Sequence, residues 1–166
     1  DTLSPSPECN DICSTILTID TMAVLGNERR CYITTTKTGG TYTWLKGEQN
    51  NSFNRSAEAI EVSDKSTDWT QFIAGKKNAT ASVTVFADDS ASEPQHQLLT
   101  ALHKGETVYC FIGKLSGTGS QTPSEGDLFE AIVTECSDTN DFGAVATRSI
   151  SLQVTGEPTH YPTIGE

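Results

Sequence analysis

The chain has 166 residues, enough for one domain with a substantial core and too few for two comfortable ones. Its 22 Asp and Glu outweigh 11 Lys and Arg for a formal net charge of −11, which excludes a surface that grips nucleic acid by neutralising phosphates. Hydrophobic residues make up only 35%, while Thr, Ser, Gly and Val are plentiful, so an all-β chain with many polar sheet positions is expected.

In chain order, residues 1–21 stand apart. They hold Asp1, Glu8, Asp11 and Asp20, no base and no aromatic residue, and are read as a poorly ordered or extraneous arm before a main domain at 22–161 and a short tail at 162–166. From Arg30 to Thr36 and from Thr41 to Leu45, short β-type runs flank Gly39 and Gly40 and predict a hairpin. The stretch from Gly47 to Ser56 is polar and rich in asparagine. Ala59 and Glu61 alternate with Ile60 and Val62, which predicts a half-buried strand over Ala57–Ser63, and Asp64 to Lys77 is read as a loop carrying Trp69 and Phe72.

Asn78 to Ala87 alternates cleanly, with Ala81, Val83 and Val85 on one face and Thr80, Ser82, Thr84 and Phe86 on the other. After an Asp88-Asp89 turn comes the one helix the sequence predicts. Ser92 and Gln95 have capping-box spacing, Pro94 suits the first turn, Leu98, Leu99 and Leu102 form an apolar stripe, His103 and Lys104 suit the negative end, and Gly105 is the stop.

Three further strands are expected. In the first, Val108, Cys110 and Ile112 oppose Tyr109 and Phe111, so both faces are partly covered. In the second, Leu128, Glu130, Ile132 and Thr134 oppose Phe129, Ala131 and Val133, and in the third Ile150, Leu152 and Val154 face the core while Ser149, Ser151, Gln153 and Thr155 face outward. Ser116–Gly126 reads as a polar loop and Ser137–Phe142 as a tight acidic turn. The fold expected from these patterns is a β-sandwich or partly open barrel of seven or eight mostly antiparallel strands, with one α-helix on its flank.

No run of about 20 apolar residues crosses a bilayer and no basic-then-apolar segment marks a signal peptide, so membrane insertion is not expected. Five cysteines, with Cys110 and Cys136 inside strand patterns, read as reduced core thiols made in a cytoplasm; a Cys9–Cys13 bridge has little behind it. Chemistry finds no local signature: there is no G-x-S-x-G, no H-E-x-x-H, no second cysteine pair at zinc spacing and no calcium-loop order among the Asp clusters, so neither enzyme activity, a metal nor a cofactor is expected. His96 and His103 are read as solvated helix residues. Trp69 and Phe72 are weighed as a sugar-stacking platform or, in preference, a hydrophobic plug beneath their own loop.

The segment from Glu58 to Phe86 carries a family likeness in Ile60, Val62, Ser63, Lys65, Asp68, Trp69, Phe72, Ile73, Gly75, Val83, Val85 and Phe86. A short strand enters a small polar loop, followed by a Trp-x-x-Phe-Ile-x-Gly turn and a long alternating strand, then an acidic turn, a helix stopped by glycine and three strands. That order, from about Met22 to Tyr161, resembles the major tail tube protein of long, non-contractile phage tails. MAVLGNERRCYI resembles the way such proteins begin, which implies Met22 as the natural start.

The resemblance implies a virion protein of the tail, made in the bacterial host cytoplasm, that assembles with itself into stacked hexameric rings and meets tape-measure, tail-tip and terminator proteins. Its lumen would pass DNA without binding it, lined by Ser149, Ser151, Gln153 and Thr155 with Glu130 and Glu135. The region around Trp69 resembles a hairpin loop that reaches a neighbouring subunit, which makes Asp68, Trp69, Phe72, Ile73, Lys76 and Lys77 the expected interface. The competing readings are an Ig-like or carbohydrate-binding module, with which three N-x-[ST] sites at Asn50, Asn54 and Asn78 superficially agree, and a tube or terminator protein of a contractile tail.

Overall fold

A computed structural model of the chain describes residues 26–37, 40–66, 68–117 and 121–162; the N-terminal arm, Met22, Cys9, Cys13 and the last residues of the tail lie outside them. After a 3-10 turn at Gly26–Glu28 come β1 (Arg30–Thr34), β2 (Tyr42–Trp44), β3 (Glu48–Glu61), β4 (Phe72–Phe86), α1 (Pro94–Lys104), β5 (Thr107–Ser116), β6 (Thr122–Thr139) and β7 (Thr147–Tyr161). The seven strands form one sheet in the order β2-β1-β5-β6-β7-β4-β3, antiparallel at every pairing.

The sheet rolls until β1 and the beginning of β3 approach each other, but no ladder joins them. Side chains bridge the seam instead: the Glu48 carboxylate accepts from the Cys31 amide at 2.8 Å, and Asn51 Nδ2 donates to the Arg29 carbonyl at 2.9 Å. The result is a partly open barrel, as the alternation patterns predicted.

Its core is built from the inward register of those strands. Ala81, Val83 and Val85 of β4 meet Ile150, Leu152 and Val154 of β7, and Phe53 of β3 crosses the interior to stack on Phe129 of β6 at 4.9 Å. Cys31 and Cys110 are fully buried free thiols, and burial alone pushes the Cys110 thiol up to about 12. A second apolar cluster lies on the reverse side of the sheet, where Phe111 is buried beneath the rings of Tyr32, Tyr42 and Tyr161. Both faces of β5 are therefore covered.

Helix α1 packs on β6 and β5 through Leu98 and Ala101, with Leu102 partly buried. Gly105 ends it in the left-handed region at φ 69°, where its amide bonds back to Ala101, as a C-terminal glycine should. The start differs from expectation. The N-cap is Glu93, without a side-chain cap bond, and Gln95 is not half of a capping box. Gln95 is buried and points into the barrel end, donating to the carbonyls of Phe86 (2.8 Å) and Lys46 (3.3 Å) and accepting from the Asp88 amide (3.2 Å). That one amide ties the start of α1 to the β2–β3 connection and to the segment that leaves β4.

The largest correction concerns the loops. Phe72 to Lys77 is strand, β3 begins at Glu48 within the asparagine-rich stretch, Thr122–Gly126 belongs to β6, and Ser137–Thr139 extends β6 into the acidic turn. All of these are polar or exposed on both faces, so no alternation announces them. At Gly113 and Gly126 the backbones of β5 and β6 approach so closely that an added Cβ on Gly113 would lie 1.9 Å from the Glu125 carbonyl.

Replacing Gln95 with alanine should leave the Phe86 and Lys46 carbonyls without their partner, at a cost of about 1–3 kcal/mol. Urea unfolding should show a lower midpoint at unchanged slope, and an unaltered midpoint would show that the bracket is dispensable.

Candidate assembly surfaces

Strands β4 and β7 pair from Phe86↔Thr147 down to Thr80↔Gln153 and then part. Strand β7 continues along β6 with a register shift between Leu128 and Glu130, where Gly156 adopts φ 76°. Strand β4 continues with β3 alone, from Ala57↔Lys77 to Glu61↔Phe72, so the two project from the barrel as a two-stranded arm. At the fork, the Gln153 amide donates to Asn78 Oδ1 (2.6 Å) and to the Ala79 carbonyl (3.0 Å).

The arm has apolar residues and nothing of its own to bury them against. Trp69 is 86% exposed and Phe72 60%, with Ile60, Val62 and Ile73 also exposed. The plug reading is thus overturned within the chain: the tip is too far from the core for either ring to reach it. Ile60 lies across from Ile73, and Gly75 leaves space on that face, since a Cβ there would sit 3.0 Å from Ile60 Cδ1. The tip is ordered by Val62 N–H to the Gln71 carbonyl (2.9 Å), Gln71 N–H to Ser63 Oγ (2.8 Å) and Ser66 N–H to Asp64 Oδ1 (2.8 Å). Asp68, Lys76 and Lys77 are exposed, and none has an ion-pair partner among the described residues. An isolated two-stranded ribbon is marginal in water, and an exposed strand edge with apolar side chains invites another chain.

The second surface is the outward face of β3, β4, β7 and β6 above the fork. Register places Ser52, Ser82, Ser151 and Glu135 in one row, Thr84, Ser149 and Ser137 in the next, and Glu130 opposite Thr155. All six sequence-predicted lumen positions share this face. The register shift between Val133 and Glu135 is what turns Glu135 outward beside Ser151. Among the described residues the face has no Arg or Lys of its own; Lys37 reaches Glu130 from the margin at 4.0 Å. The hydroxyls bond along the sheet, Ser52 to Ser82 at 2.7 Å and Thr84 to Ser149 at 3.4 Å.

Two ionic clusters hold the ends of the barrel. At the fork end Asp127 is buried between Arg55 of β3 and His160 of β7, whose Nδ1 lies 2.8 Å away, beside a groove of about 720 Å³ lined by Arg55, Lys77, Asn78, Gly156, Pro158 and His160. At the other end Arg148, 4% exposed, donates Nε and Nη2 to the two oxygens of Asp138 at 2.7 and 2.9 Å and Nη2 to Asp89 Oδ1 at 2.9 Å. Its guanidinium holds the Asp138 carboxyl below its ordinary range. Arg148 was legible in principle, since it occupies the inward register of β7 two residues before Ile150, where a cation demands paired acids. His96 and His103 are exposed on α1, as read.

A rolled, partly open barrel with one polar face and one unpartnered arm defines an assembly subunit. The chain belongs to the phage tail tube protein family, whose sequence model matches residues 23–160, and it is a structural subunit of a tail tube and so a component of the virion. Among curated proteins no sequence relative matches. Solved structures share the fold: the tail of the empty gene transfer agent particle, a C6-symmetric structure, at TM-score 0.67 and 15% identity over 83% of this chain and 98% of that one; the SPP1 tail tube at 0.62 and 14%, over 81% and 77%; and the anti-feeding prophage baseplate at 0.57 and 12%, over 81% and 92%.

Replacing Trp69 and Phe72 together with alanine should leave the unfolding midpoint of the subunit within error and abolish polymerisation, read by calorimetry and electron microscopy. An unfolded double variant would show that the arm's aromatics support the fold and not assembly alone. Replacing Arg148 with alanine should cost about 1–3 kcal/mol at neutral pH. Because the folded Asp138 carboxyl titrates below its unfolded value, its contribution is present above about pH 4 and lost as pH falls through the folded value. The gap between variant and parent should therefore narrow in acid; a gap that does not change with pH would assign the loss to packing.

Proposed function

We propose that six copies close into a ring by joining their sheets, that rings stack into the tube of a long, non-contractile tail, and that its lumen conducts DNA from capsid to host. The observation that carries this reading is the cation-free outward face, continuous across four strands and built from hydroxyls, Gln153, Glu130 and Glu135. A wall of this kind offers phosphates no counterion-releasing contact, and its carboxylates repel them, so DNA slides without adhering. Ring closure also removes the sheet edges that a lone subunit leaves open. The C6 symmetry of the gene transfer agent tail supports sixfold closure here.

On this reading the role is passive, with no catalytic step and no cofactor. The arm, through Asp68, Trp69, Phe72, Ile73, Lys76 and Lys77, makes the contact to a neighbouring copy, with aromatics as anchors and charges as register. The tape-measure protein occupies the lumen during assembly and tail-tip and terminator proteins close its ends. The first 21 residues stand outside the tube domain.

Replacing Glu130 and Glu135 with lysine should leave tube formation intact and slow DNA release from the particle, measured as ejection kinetics over a range of salt, with the slowing relieved as salt rises. Unchanged kinetics would remove this face from the lumen.

A further inference from the structure

We propose that Asp127, buried at the fork end of the barrel, is a positioning residue for assembly: by holding Arg55 it fixes the angle at which the β3–β4 arm leaves the barrel. This rests on the reading in which the arm makes the contact to a neighbouring copy, and it names the group that aims the arm from inside the subunit.

Past the last β4–β7 pair, Thr80↔Gln153, the ribbon keeps only its own ladder, beginning with Arg55↔Ala79 and Ser56↔Asn78. A groove of about 720 Å³ then separates it from β7, with Ala57, Lys77 and Asn78 on one wall and Gly156, Pro158 and His160 on the other. Two polar links cross at the root. Gln153 of β7 holds β4, through Asn78 Oδ1 and the Ala79 carbonyl. Arg55 holds β3, because its Nη2 donates to Asp127 Oδ1 of β6 and lies 3.3 Å from His160 Nδ1 of β7. With the first link alone the ribbon is free to turn about β4; a second link on the other strand fixes both its twist and its swing.

Asp127 is the stronger of the two fixed points. It is 6% exposed, and a carboxylate left there without its cation would be uncompensated, so the arm position that keeps Arg55 in place is favoured over any that withdraws it. The core also sets the course of Arg55. Its guanidinium carbon lies 4.9 Å from the centre of the Phe53 ring, and Phe53 stacks on Phe129, two residues along β6 from Asp127. Lys77 and Glu157 also line the groove, carry opposite signs and have no ion-pair partner among the described residues, which leaves Asp127 as the anion that holds Arg55.

Small changes at the root become large ones at the contact surface. From Arg55 to Glu61 the strand spans about 20 Å, so a swing of about 10° at the root moves the end of the ribbon by about 3.5 Å, enough to separate packed side chains. Trp69 and Phe72 lie at that end. An arm that wanders presents them in the right place only part of the time, and the apparent affinity between copies falls by that fraction.

Residual dipolar couplings of the backbone amides, measured on the full chain below its assembly concentration, report the orientation of the ribbon relative to the barrel. One alignment frame should fit both in the unmodified chain, and an arm whose couplings are already averaged there would overturn the proposal without any substitution. Changing Arg55→Gln together with Asp127→Asn removes both charges and so leaves no uncompensated carboxylate. The barrel couplings should persist, those of the arm should average toward smaller values, and the critical concentration for tubes should rise about tenfold, as it does when about one subunit in ten holds the arm in the competent position. Should that pair not fold, Arg55→Lys, which keeps the cation but not the planar fork, is expected to show the same losses in smaller measure. Arm couplings that do not change in a folded variant, or a critical concentration that does not change while the couplings shrink, would overturn the proposal. If the unmodified chain assembles under no condition, including with tail-tip proteins added, the tube reading itself fails and the assembly role of Asp127 with it, whereas the couplings still show whether Asp127 holds the arm.

Discussion

Strand β4 has neighbours on both sides for only part of its length, and the rest of the molecule follows from that. Above Thr80 it lies between β7 and β3, and its alternate residues are buried in a core. Below, it keeps β3 alone, and every side chain on the ribbon faces water or another molecule. A sheet can stop hydrogen bonding at a fork only if something satisfies the carbonyls that are released, and Gln153 does so for Ala79. The same fork makes one strand both a core element and half of an exposed arm. Stability thereby resides in the upper half, where β4 has two neighbours, and in the function proposed above polymerisation falls to the arm.

The barrel closes its incomplete circumference with polar side chains instead of a ladder. Glu48 and Asn51 span the seam, Gln95 ties the start of α1 to Lys46 and to Phe86 and Asp88 at one end, and the Arg55–Asp127–His160 and Arg148–Asp138–Asp89 clusters fasten the two ends. Each depends on buried groups finding all their partners, because an unpaired one costs more than the bond contributes. The design suits a subunit that must leave its edges open until neighbours arrive.

The acidic balance of the chain acquires a spatial meaning in this arrangement. Glu130 and Glu135 stand among hydroxyls on an outward face that has no Arg or Lys of its own among the described residues, a distribution that repels a phosphate polymer.

Much of this was present in the amino-acid order. Alternation in Asn78–Ala87 and in Ser149–Thr155 gave inward and outward faces directly, because a strand with one dry and one wet face must alternate. Leu98 with Gly105 gave the helix and its end, and the motif from Glu58 to Phe86 pointed to the family. What periodicity could not reveal were segments without an apolar alternation: the beginning of β3 is polar except for Phe53, and the Phe72–Lys77 half of the arm carries no dry face, so both read as loop. Nor could local spacing assign Gln95, which reaches Lys46 from 49 residues away as well as Phe86 and Asp88, or turn Glu135 outward, which a register shift in β6 alone brings about. Sequence determined which residues pair with a core, since that is a local matter of parity. Tertiary structure decided where the core ends, and so which aromatics remained exposed, because burial depends on how many strands stand beside a residue and not on its neighbours in the chain.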